Sequence, residues 1–537
     1  MKYILLSLSL LFSQFSNAQT FQWASRIGDN FNDVAYKIVP DNNGNFYVTG
    51  YFRNTVHFGT TTLTGIGGQP DIFVAKINSA GIFQWAKRTG GADVDYGYGI
   101  CLDANSNVYI CGSFQDQAMI GNTTFFGPGA YIAKLDSAGN WIWSRAVTTT
   151  LGNRIQFNDV AVDSAENCFV TGSMNVNATF GSFPLTLTGA SNSFVAKVNQ
   201  NGQWLWAVNT HGIDYQYGTA LDLDVTGNCY ITGECRDVTI FGNDTCIGFQ
   251  SVFVSKLSTS GQWLWTQQSL NEVNTNYNCR GFDIAVNSLG DAYITGLYGG
   301  ENIFGADTIS GHFANEHCFI AKINTNGQWQ WVHAPGAFLE HDIGHGIWRD
   351  SNDNIYVCGD FHETLTFGPY ILSNTATENI FAAKLNSADQ WEWAVAASGS
   401  SNLVDANSIA ATPSGVLVTG AFWDTVTIGT SVLVSATLGS ADIFITMLDN
   451  LPTVTGEIDT QKNGVFPNPS SGKITFNTTG IISIYNTSGK KIYTSVIASS
   501  SDVITLPDMK EGIYFYQIKC ENNNIQSGKI LLVKSLN

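Results

Sequence analysis

Two histidines four positions apart form the densest group of potential ligands, in the segment His341-Asp342-Ile343-Gly344-His345. On a helix this spacing would direct both imidazoles to one metal ion, but the surrounding sequence predicts the innermost strand of a repeat unit. Residues on a strand advance by about 3.3 Å each, which puts the two rings about 13 Å apart on one face, too far to share an ion. The innermost strands of the repeat units would surround a central channel. We therefore expect His341, Asp342 and His345 to line this channel as candidate ligand-binding groups.

Acidic residues recur at similar places in other units. Asp33 and Asp95 occupy positions in their own units that are equivalent to those of the His341–His345 segment. This predicts an acidic, polar rim around the central channel, which we call the funnel rim. The alternative is that strand ends facing a solvated channel are simply polar. Glycoside chemistry needs two carboxylates that converge on one point. Six acids lie near the starts of the inner strands and could converge in this way: Asp33, Asp95, Asp159, Asp283, Asp342 and Asp405. The repeat places acids at these positions whether or not catalysis occurs.

Three turns carry oxygen-bearing side chains at alternate positions, in the pattern Asp-x-Asn-x-Asn. A calcium-binding loop begins in this way, but the twelfth position, which should supply a carboxylate, is Phe52, Phe114 or Phe361. Asx-turn hydrogen bonding explains the same residues. Apart from calcium no cofactor is predicted, and its candidate ligands are Asp41, Asn43, Asn45, Asp103, Asn105, Asn107, Asp350, Asn352 and Asn354.

The chain contains 10 cysteines, which do not recur at one position in every repeat. They are therefore not a disulfide scaffold common to all units. We expect Cys101 and Cys111 to face each other across a hairpin as a disulfide, and Cys235 and Cys246 are a second candidate pair. The alternative is that the cysteines are small buried hydrophobic residues.

Internal repetition determines where all these residues lie. The glycine that ends Tyr-Val-Thr-Gly and its variants recurs seven times at spacings of 60 to 63 residues: Gly50, Gly112, Gly172, Gly233, Gly296, Gly359 and Gly420. Each copy has the pattern of four short strands separated by Asp, Asn, Ser and Gly turns. No single copy could bury its own faces, so the copies must stack. The pattern predicts an all-β, seven-bladed β-propeller over residues 19–450.

Aromatic pairs two positions apart mark the last strand of six units, and none follows the seventh. The missing pair stands at the start of the chain, in Phe21-Gln22-Trp23. We predict that residues 21–27 supply the outer strand of the seventh blade and close the ring. The pattern Asp-x-x-Gly-Asn-x-Tyr-Val-Thr-Gly, followed by Phe-Val-Ala-Lys-x-x-x-x-Gly-x-x-x-Trp, resembles the bacterial propeller repeats of the SBBP type. This resemblance covers roughly residues 21–450 and implies the fold, but the family has no single activity to transfer.

Residues 1–18 have the pattern of a secretory signal peptide, with Lys2 at the start, an apolar core over Ile4–Phe12 and a small-x-small site before Gln19. No later stretch approaches ~18 uninterrupted apolar residues, so no transmembrane segment is predicted. The net charge of −18, with only 25 Lys and Arg residues, argues against a nucleic-acid partner.

Residues 451–461 interrupt the repeat and are predicted to be a linker. Alternating apolar runs within 462–537 then predict a small β-sandwich. The ordered segments Val465-Phe466-Pro467-Asn468-Pro469, Gly512-Ile513-Tyr514-Phe515-Tyr516 and Gly528-Lys529-Ile530 closely resemble the type A C-terminal sorting domain of type IX secretion substrates. The resemblance implies the type IX machinery of a Bacteroidetes-type cell as a partner. It also implies delivery through the periplasm to the outer-membrane surface or the medium.

No nucleophile elbow, phosphate-binding loop or dinucleotide fingerprint occurs in the sequence. The sequence therefore predicts a non-enzymatic binding or adhesion module that presents propeller loops to glycan, peptide or matrix ligands. The alternative is a polysaccharide-degrading lyase or glycosidase that uses acidic residues in the funnel.

Overall fold

The computed structural model describes residues 19–532, with gaps at 272–277, 313–314, 337–340, 374–377, 400–402, 450–464, 467–472, 477–478, 487–489, 500–501, 507–508, 511 and 520–524. The predicted signal peptide and linker lie outside the described residues. The chain divides into one unit over residues 18–453 and another that contains residues 454–537. All regular elements in the described part are β-strands.

After β1 (Phe21–Ile27), seven units repeat one plan of consecutive antiparallel strands, with a short hairpin between the second and third main strands. Unit 1 comprises β2 (Val34–Pro40), β3 (Asn45–Arg53), β4 (Thr55–Phe58), β5 (Thr61–Thr64), β6 (Pro70–Asn78) and β7 (Phe83–Gly91). Unit 2 comprises β8 (Asp95–Leu102), β9 (Val108–Phe114), β10 (Ala118–Ile120), β11 (Thr123–Phe125), β12 (Gly129–Leu135) and β13 (Trp141–Thr148). Unit 3 comprises β14 (Ile155–Val162), β15 (Cys168–Met174), β16 (Ala178–Phe180), β17 (Phe183–Leu185), β18 (Asn192–Val198) and β19 (Trp204–Asn209).

In units 4 and 5 a two-residue strand precedes the first main strand. Unit 4 comprises β20 (His211–Gly212), β21 (Gln216–Leu223), β22 (Cys229–Cys235), β23 (Thr239–Phe241), β24 (Asp244–Cys246), β25 (Ser251–Leu257) and β26 (Trp263–Gln268). Unit 5 comprises β27 (Leu270–Asn271), β28 (Arg280–Val286), β29 (Ala292–Tyr298), β30 (Glu301–Phe304), β31 (Asp307–Ser310), β32 (His317–Ile323) and β33 (Trp329–His333).

Unit 6 comprises β34 (Asp342–Arg349), β35 (Ile355–Phe361), β36 (Thr364–Phe367), β37 (Tyr370–Ser373), β38 (Asn379–Leu385) and β39 (Trp391–Gly399). Unit 7 comprises β40 (Val404–Thr412), β41 (Gly415–Trp423), β42 (Thr425–Ile428), β43 (Ser431–Val434) and β44 (Ala441–Leu448). Its sheet has the order β1-β44-β41-β40, so the fourth strand is β1. Ser25 lies opposite Ile445 and Ile27 opposite Ile443 in this antiparallel pair.

The hydrophobic core is divided into clusters that lie between consecutive units. The β9 and β12 strands are buried along their whole length because both faces of the sheet are covered. One cluster joins Phe46 and Phe73 of unit 1 to Leu417 and Ile443 of unit 7. Equivalent clusters join each of the other six consecutive pairs of units. Burying one such phenylalanine contributes about 1.5–3 kcal/mol, so the contacts between units are the main source of stability.

The second aromatic residue of each fourth strand connects its unit to the next one. Trp85 Nε1 donates a hydrogen bond to the backbone oxygen of Ser137, 3.2 Å away in the following unit. The same bond runs from β1 to unit 1, where Trp23 Nε1 lies 3.1 Å from the Ser79 oxygen. Trp23 and Trp85 therefore each connect their own strand to the following unit.

The strand register corrects the expected disulfide. The turn between β8 and β9 spans five residues, because Leu102 pairs with Val108. Cys101 therefore lies opposite Tyr109, and Cys111 lies opposite Gly99. Both thiols are free in the structure, as are those of Cys235 and Cys246.

The C-terminal unit contains two sheets. Their orders are β45-β46-β49 and β48-β47-β50-β51, with the strands β45 (Val465–Phe466), β46 (Lys473–Phe476), β47 (Gly480–Tyr485), β48 (Lys491–Ile497), β49 (Val503–Thr505), β50 (Gly512–Lys519) and β51 (Ile525–Leu532). Ile474 and Ile504 of the first sheet and Ile482 and Ile518 of the second belong to one buried cluster. The described strands of this unit therefore share a core.

Candidate functional site

A β-bulge interrupts the first main strand of every unit at the same place. In unit 2, for example, Gly97 pairs with Gly112 and Gly99 with Cys111, so Tyr98 is left without a partner on the neighbouring strand. A bulge bends its strand and redirects the extra side chain. The extra residues, including one of the two in the wider bulge of unit 7, are Tyr36, Tyr98, Asn158, Thr219, Phe282, His345 and Asn407.

Glycine at the edge of the bulge lets neighbouring units approach closely. A Cβ atom on Gly97 would lie 2.6 Å from Thr49 Oγ1 of unit 1, which is too short for a real contact. That threonine hydroxyl donates a hydrogen bond to the Phe73 backbone oxygen at 2.8 Å. The glycine therefore leaves space for the threonine of Tyr-Val-Thr-Gly, and the same relationship holds for Gly218, Gly281 and Gly344.

All seven redirected side chains line one cavity of about 400 Å3, which we call the funnel. Aromatic faces form part of its wall, with the rings of Tyr36 and Tyr98 centred 5.2 Å apart and those of Phe282 and His345 stacked at 5.6 Å. Gln156, Asn158, Thr219 and Asn407 also line the funnel.

A second cavity of about 460 Å3 shares part of the funnel wall and extends it over units 3 and 4. The two cavities have Gln156, Asn158, Thr219 and Arg280 in common. The Arg280 guanidinium lies 5.5 Å from the centre of the Tyr217 ring and is paired with Glu234 at 2.5 Å.

A charged group forms the floor of the funnel. Lys37 Nζ lies 2.7 Å from Asp159 Oδ2 and 3.4 Å from Asp283 Oδ1, which joins units 1, 3 and 5. Burial lowers the pKa of Lys37, but the two carboxylates outweigh it and raise this pKa well above its usual value. On the other side of the floor, a cavity of about 240 Å3 is lined by apolar residues such as Val39 and Trp348. The floor is therefore a buried ionic contact between units that are not adjacent in the chain.

Four titratable residues lie together at one side of the funnel. One donor atom each from His345, Asp360 and Asp405 lie within 4.8 Å of one another. His345 Nε2 is 2.5 Å from Asp360 Oδ1. Burial and, to a smaller extent, the negative charges of Asp360 and Asp405 raise the pKa of Glu378 to about 8. For His345, burial lowers the pKa, but the Asp360 carboxylate outweighs this effect, so the pKa is raised.

The predicted rim acids Asp33, Asp95 and Asp342 are buried and accept hydrogen bonds from backbone nitrogens. Asp33 accepts bonds from Arg53 N and Asp29 N, both at 2.9 Å. Asp95 accepts one from Gly91 N at 2.5 Å, and Asp342 accepts one from His362 N at 3.3 Å. Burial raises the pKa of Asp33 and of Asp95 to about 7. These three residues therefore fix the loops that lead into the first strands.

His341 and His345 belong to different groups. His341 Nε2 lies 3.2 Å from Glu316 Oε2, a hydrogen bond that raises the pKa of His341. His345 instead lies in the bulge and lines the funnel. Of the five predicted rim residues, the structure places only His345 along this cavity.

In the three turns with alternate Asp and Asn residues, the carboxylates accept local hydrogen bonds. Asp103 Oδ1 accepts bonds from the backbone nitrogens of Asn105 and Asn107, both at 2.9 Å. Asp103 Oδ2 lies 3.3 Å from Lys134 Nζ. Asp41 and Asp350 accept the same pair of backbone bonds, from Asn43 and Asn45 and from Asn352 and Asn354. These are the bonds of an Asx turn, and calcium binding there stays a prediction.

Of the seven bulge residues that line the funnel, only His345 was predicted from the sequence as a candidate ligand-binding residue. The available signal was a glycine inside a strand pattern, which often marks a bulge. Tyr98 and His345 each stand between two such glycines, in Gly97-Tyr98-Gly99 and Gly344-His345-Gly346.

Two family models match the chain. Residues 84–113 match the beta-propeller repeat SBBP, and residues 464–534 match the secretion system C-terminal sorting domain. The chain is thus an exported, secreted or cell-surface protein with propeller-type repeats. In the part of the chain that the structure describes, no helical stretch has the length and apolarity needed to cross a membrane.

A relative and several solved structures are similar over most of the chain. An uncharacterized WD repeat-containing protein, L264, of Acanthamoeba polyphaga mimivirus is 24% identical over 476 residues, and the match covers 70% of this chain but only 34% of that protein. The WD40 propeller domain of Doa1 is similar with 8% identity and a TM-score of 0.37, covering 80% of this chain and 98% of that structure. An ulvan lyase of polysaccharide lyase family PL25 has 13% identity and a TM-score of 0.38, covering 79% and 97%. Their activities are properties of those proteins.

Proposed function

We propose that this chain is an exported glycan-binding protein. Its seven units are the blades of one propeller closed by β1, its funnel holds the ligand, and its C-terminal sandwich is the signal for type IX secretion. The observation that carries the ligand proposal is the ring of seven bulge residues. The bulge recurs in every blade, yet five residue types (Tyr, Asn, Thr, Phe and His) occupy it, as expected for a binding surface built on a regular scaffold.

Three observations support closure of the ring. The outer strand of unit 7 is β1, which precedes unit 1 in the chain. The core cluster between units 7 and 1 matches those between the other consecutive units. The hydrogen bonds from tryptophans to the next unit also continue from unit 6 to the segment before β1. Trp393 Nε1 donates a hydrogen bond to Gln19 Oε1 at 3.3 Å when the Gln19 amide is oriented to satisfy both of its partners.

The chemistry of the funnel matches a glycan better than an apolar ligand. Tyr36, Tyr98 and Phe282 offer ring faces against which the C–H faces of a sugar can pack. The side-chain amides of Asn158 and Asn407 both donate and accept hydrogen bonds, as pairs of sugar hydroxyls do. The volume of about 400 Å3 is in the range of small-molecule sites, and the cavity beside it extends the path for a longer chain.

Hydrolysis of the bound glycan is the second candidate function. The specific observation is the proximity of Asp360 and Asp405, since retaining glycosidases hold two carboxyl groups only about 5–5.5 Å apart. Burial and the Asp360 charge raise the pKa of Asp405 to about 6, as a proton donor requires. Asp405 is one of the six acids predicted near the starts of the inner strands, whereas Asp360 lies on the second strand of its unit.

The experiment is binding of the purified protein to an array of neutral and acidic polysaccharides. We expect saturable binding to a limited set of glycans. The double variant Tyr98→Ala/Asn158→Ala should lose this binding, whereas Phe126→Ala should keep it because that exposed aromatic residue does not line the funnel. If Phe126→Ala lost binding to the same extent, or if the double variant kept it, the funnel would not be the glycan-binding site. Incubation of each bound glycan with the protein tests hydrolysis, and an unchanged glycan chain length removes that candidate.

A further inference from the structure

The acids beside His345 differ in their ionic partners from those buried acids of the repeat units that are paired with lysine or arginine. Asp71 is paired with Arg88 at 2.7 Å, and Asp159 with Lys37 at 2.7 Å. In the part of the chain that the structure describes, neither Asp360 nor Asp405 has a lysine or arginine within ion-pair distance. Asp360 is paired with His345, and the half-buried Asp405 adds a second carboxylate beside this pair, so a cation placed among the three side chains would offset the repulsion between the two acids.

The repeat provides an internal comparison for this group. Glu234 of unit 4 occupies the same strand position as Asp360 of unit 6, since they lie opposite Tyr217 and Ile343 respectively. In unit 5 the first strand presents Arg280 to Glu234, at 2.5 Å. In unit 7 the residue at the place of Arg280 is Asp405. The same geometry therefore holds an acid–base pair between units 4 and 5 and an acid–acid pair between units 6 and 7.

The geometry of the group also fits one ion. Ligand bonds of about 2.0–2.2 Å place opposite donors at most about 4.4 Å apart, and the three donor atoms lie within 4.8 Å of one another, so small side-chain shifts bring them to one ion. Glu378 Oε2 accepts a hydrogen bond from Val404 N at 3.2 Å, which holds a third carboxylate beside Asp405. Imidazole nitrogen favours zinc and its neighbours in the transition series, and carboxylate oxygen favours manganese, magnesium and calcium.

We propose that His345, Asp360 and Asp405 bind one divalent transition-metal ion, Zn2+ or Mn2+, in the funnel wall between units 6 and 7. The one nitrogen and two oxygen donors separate this site from the calcium predicted at the Asx turns, which offer oxygen alone. The site does not depend on which ligand fills the funnel. Failure to bind glycan would therefore leave this proposal standing, and failure to bind metal would leave the glycan proposal standing.

The test is metal binding by the purified full-length protein after removal of metal with a chelator. Dialysis against Zn2+, Mn2+ or Ca2+ at about 0.1 mM is followed by measurement of metal content, affinity and Tm. We expect one equivalent of Zn2+ or Mn2+ per chain and a higher Tm with the ion. Asp360→Asn and Asp405→Asn should each weaken binding by about tenfold or more, since lesser changes around metal sites already cost 10- to 100-fold.

Glu234→Gln is the matched control, because it removes a carboxylate at the equivalent strand position and should leave metal affinity unchanged. Asp405→Asn removes a charge that repels Asp360, so the Tm of this variant should be no lower than that of the metal-free wild type. Weaker metal binding by this variant would therefore not be caused by loss of the fold. Absence of stoichiometric Zn2+ or Mn2+ binding would overturn the proposal. So would equal affinity in the wild type and both aspartate variants, or binding of Ca2+ alone.

Discussion

Lys37 Nζ lies 2.7 Å from Asp159 Oδ2, which joins the first strands of two units that are not neighbours in the chain. Asp283 of a third unit lies 3.4 Å from the same ammonium group. This contact forms the floor of the funnel, so the site and the packing of three repeat units depend on the same three charges.

Replacing the lysine should destabilise the propeller strongly. Lys37→Met leaves two buried carboxylates without their cation, and breaking a buried ion pair in this way costs about 3–5 kcal/mol. Urea unfolding measures the loss. The triple variant Lys37→Met/Asp159→Asn/Asp283→Asn should recover much of it, because no charge is then stranded. A loss below about 1 kcal/mol in Lys37→Met would show that the three charges are well solvated.

Removing the first strand should affect the whole ring. Deletion of residues 19–27 takes the fourth strand from unit 7 and the bond from Trp393 to Gln19. We expect amide hydrogen exchange to accelerate in all seven units, because each unit is stable only when packed between two neighbours. Faster exchange confined to β44 would contradict the closed ring. Trp85→Ala, which removes one equivalent bond without removing a strand, is the control and should act locally.

Removal of the C-terminal unit should separate folding from export. Without residues 458–537, the propeller should fold and stay in the periplasm of a host with type IX secretion, because the matched sorting domain covers residues 464–534. Fractionation of cells and medium measures the outcome, with the full-length chain as the control. A truncated protein that still reaches the medium would refute the assignment of the sorting signal.

Stability should fall as the pH rises from about 4 to 7. Burial raises the pKa of Asp95 to about 7 in the folded protein, well above its usual value, so the folded state binds the extra proton in this range. The group therefore favours folding most at low pH, and this contribution is lost as the pH rises through the folded pKa. Asp95→Asn should flatten the decline of Tm between about pH 4 and pH 7. An unchanged slope would show that Asp95 is ionised throughout.

Strand order was predictable from the sequence because two local signals agree in six of the seven copies. Asp103 and its counterparts close the hairpin turns through Asx bonds, and residues such as Val108 and Ile110 alternate across a strand that is buried on both faces. The role of Phe21 and Trp23 followed from a count of aromatic pairs, and β1 does pair with β44.

The funnel was harder to predict because it depends on register. One extra residue in a strand reverses which side chains face the channel, so Tyr36 and Tyr98 could not be placed from alternation alone. The bulge redirects His345 but not His341, so only His345 of the two lines the funnel. The five-residue turn after Leu102 likewise shifted Cys111 away from Cys101. These positions are set by pairing between strands, which a single sequence does not specify.

The central claim is that the bulge residues form a glycan-binding site, and isothermal titration of the best array glycan into funnel variants tests it most directly. Tyr98→Ala should weaken affinity about tenfold or more, because burying an aromatic ring contributes about 1.5–3 kcal/mol and each 1.4 kcal/mol is a factor of ten. Phe126→Ala should bind as the wild type does. Equal affinity in Tyr98→Ala and the wild type, with the fold intact, would contradict the account.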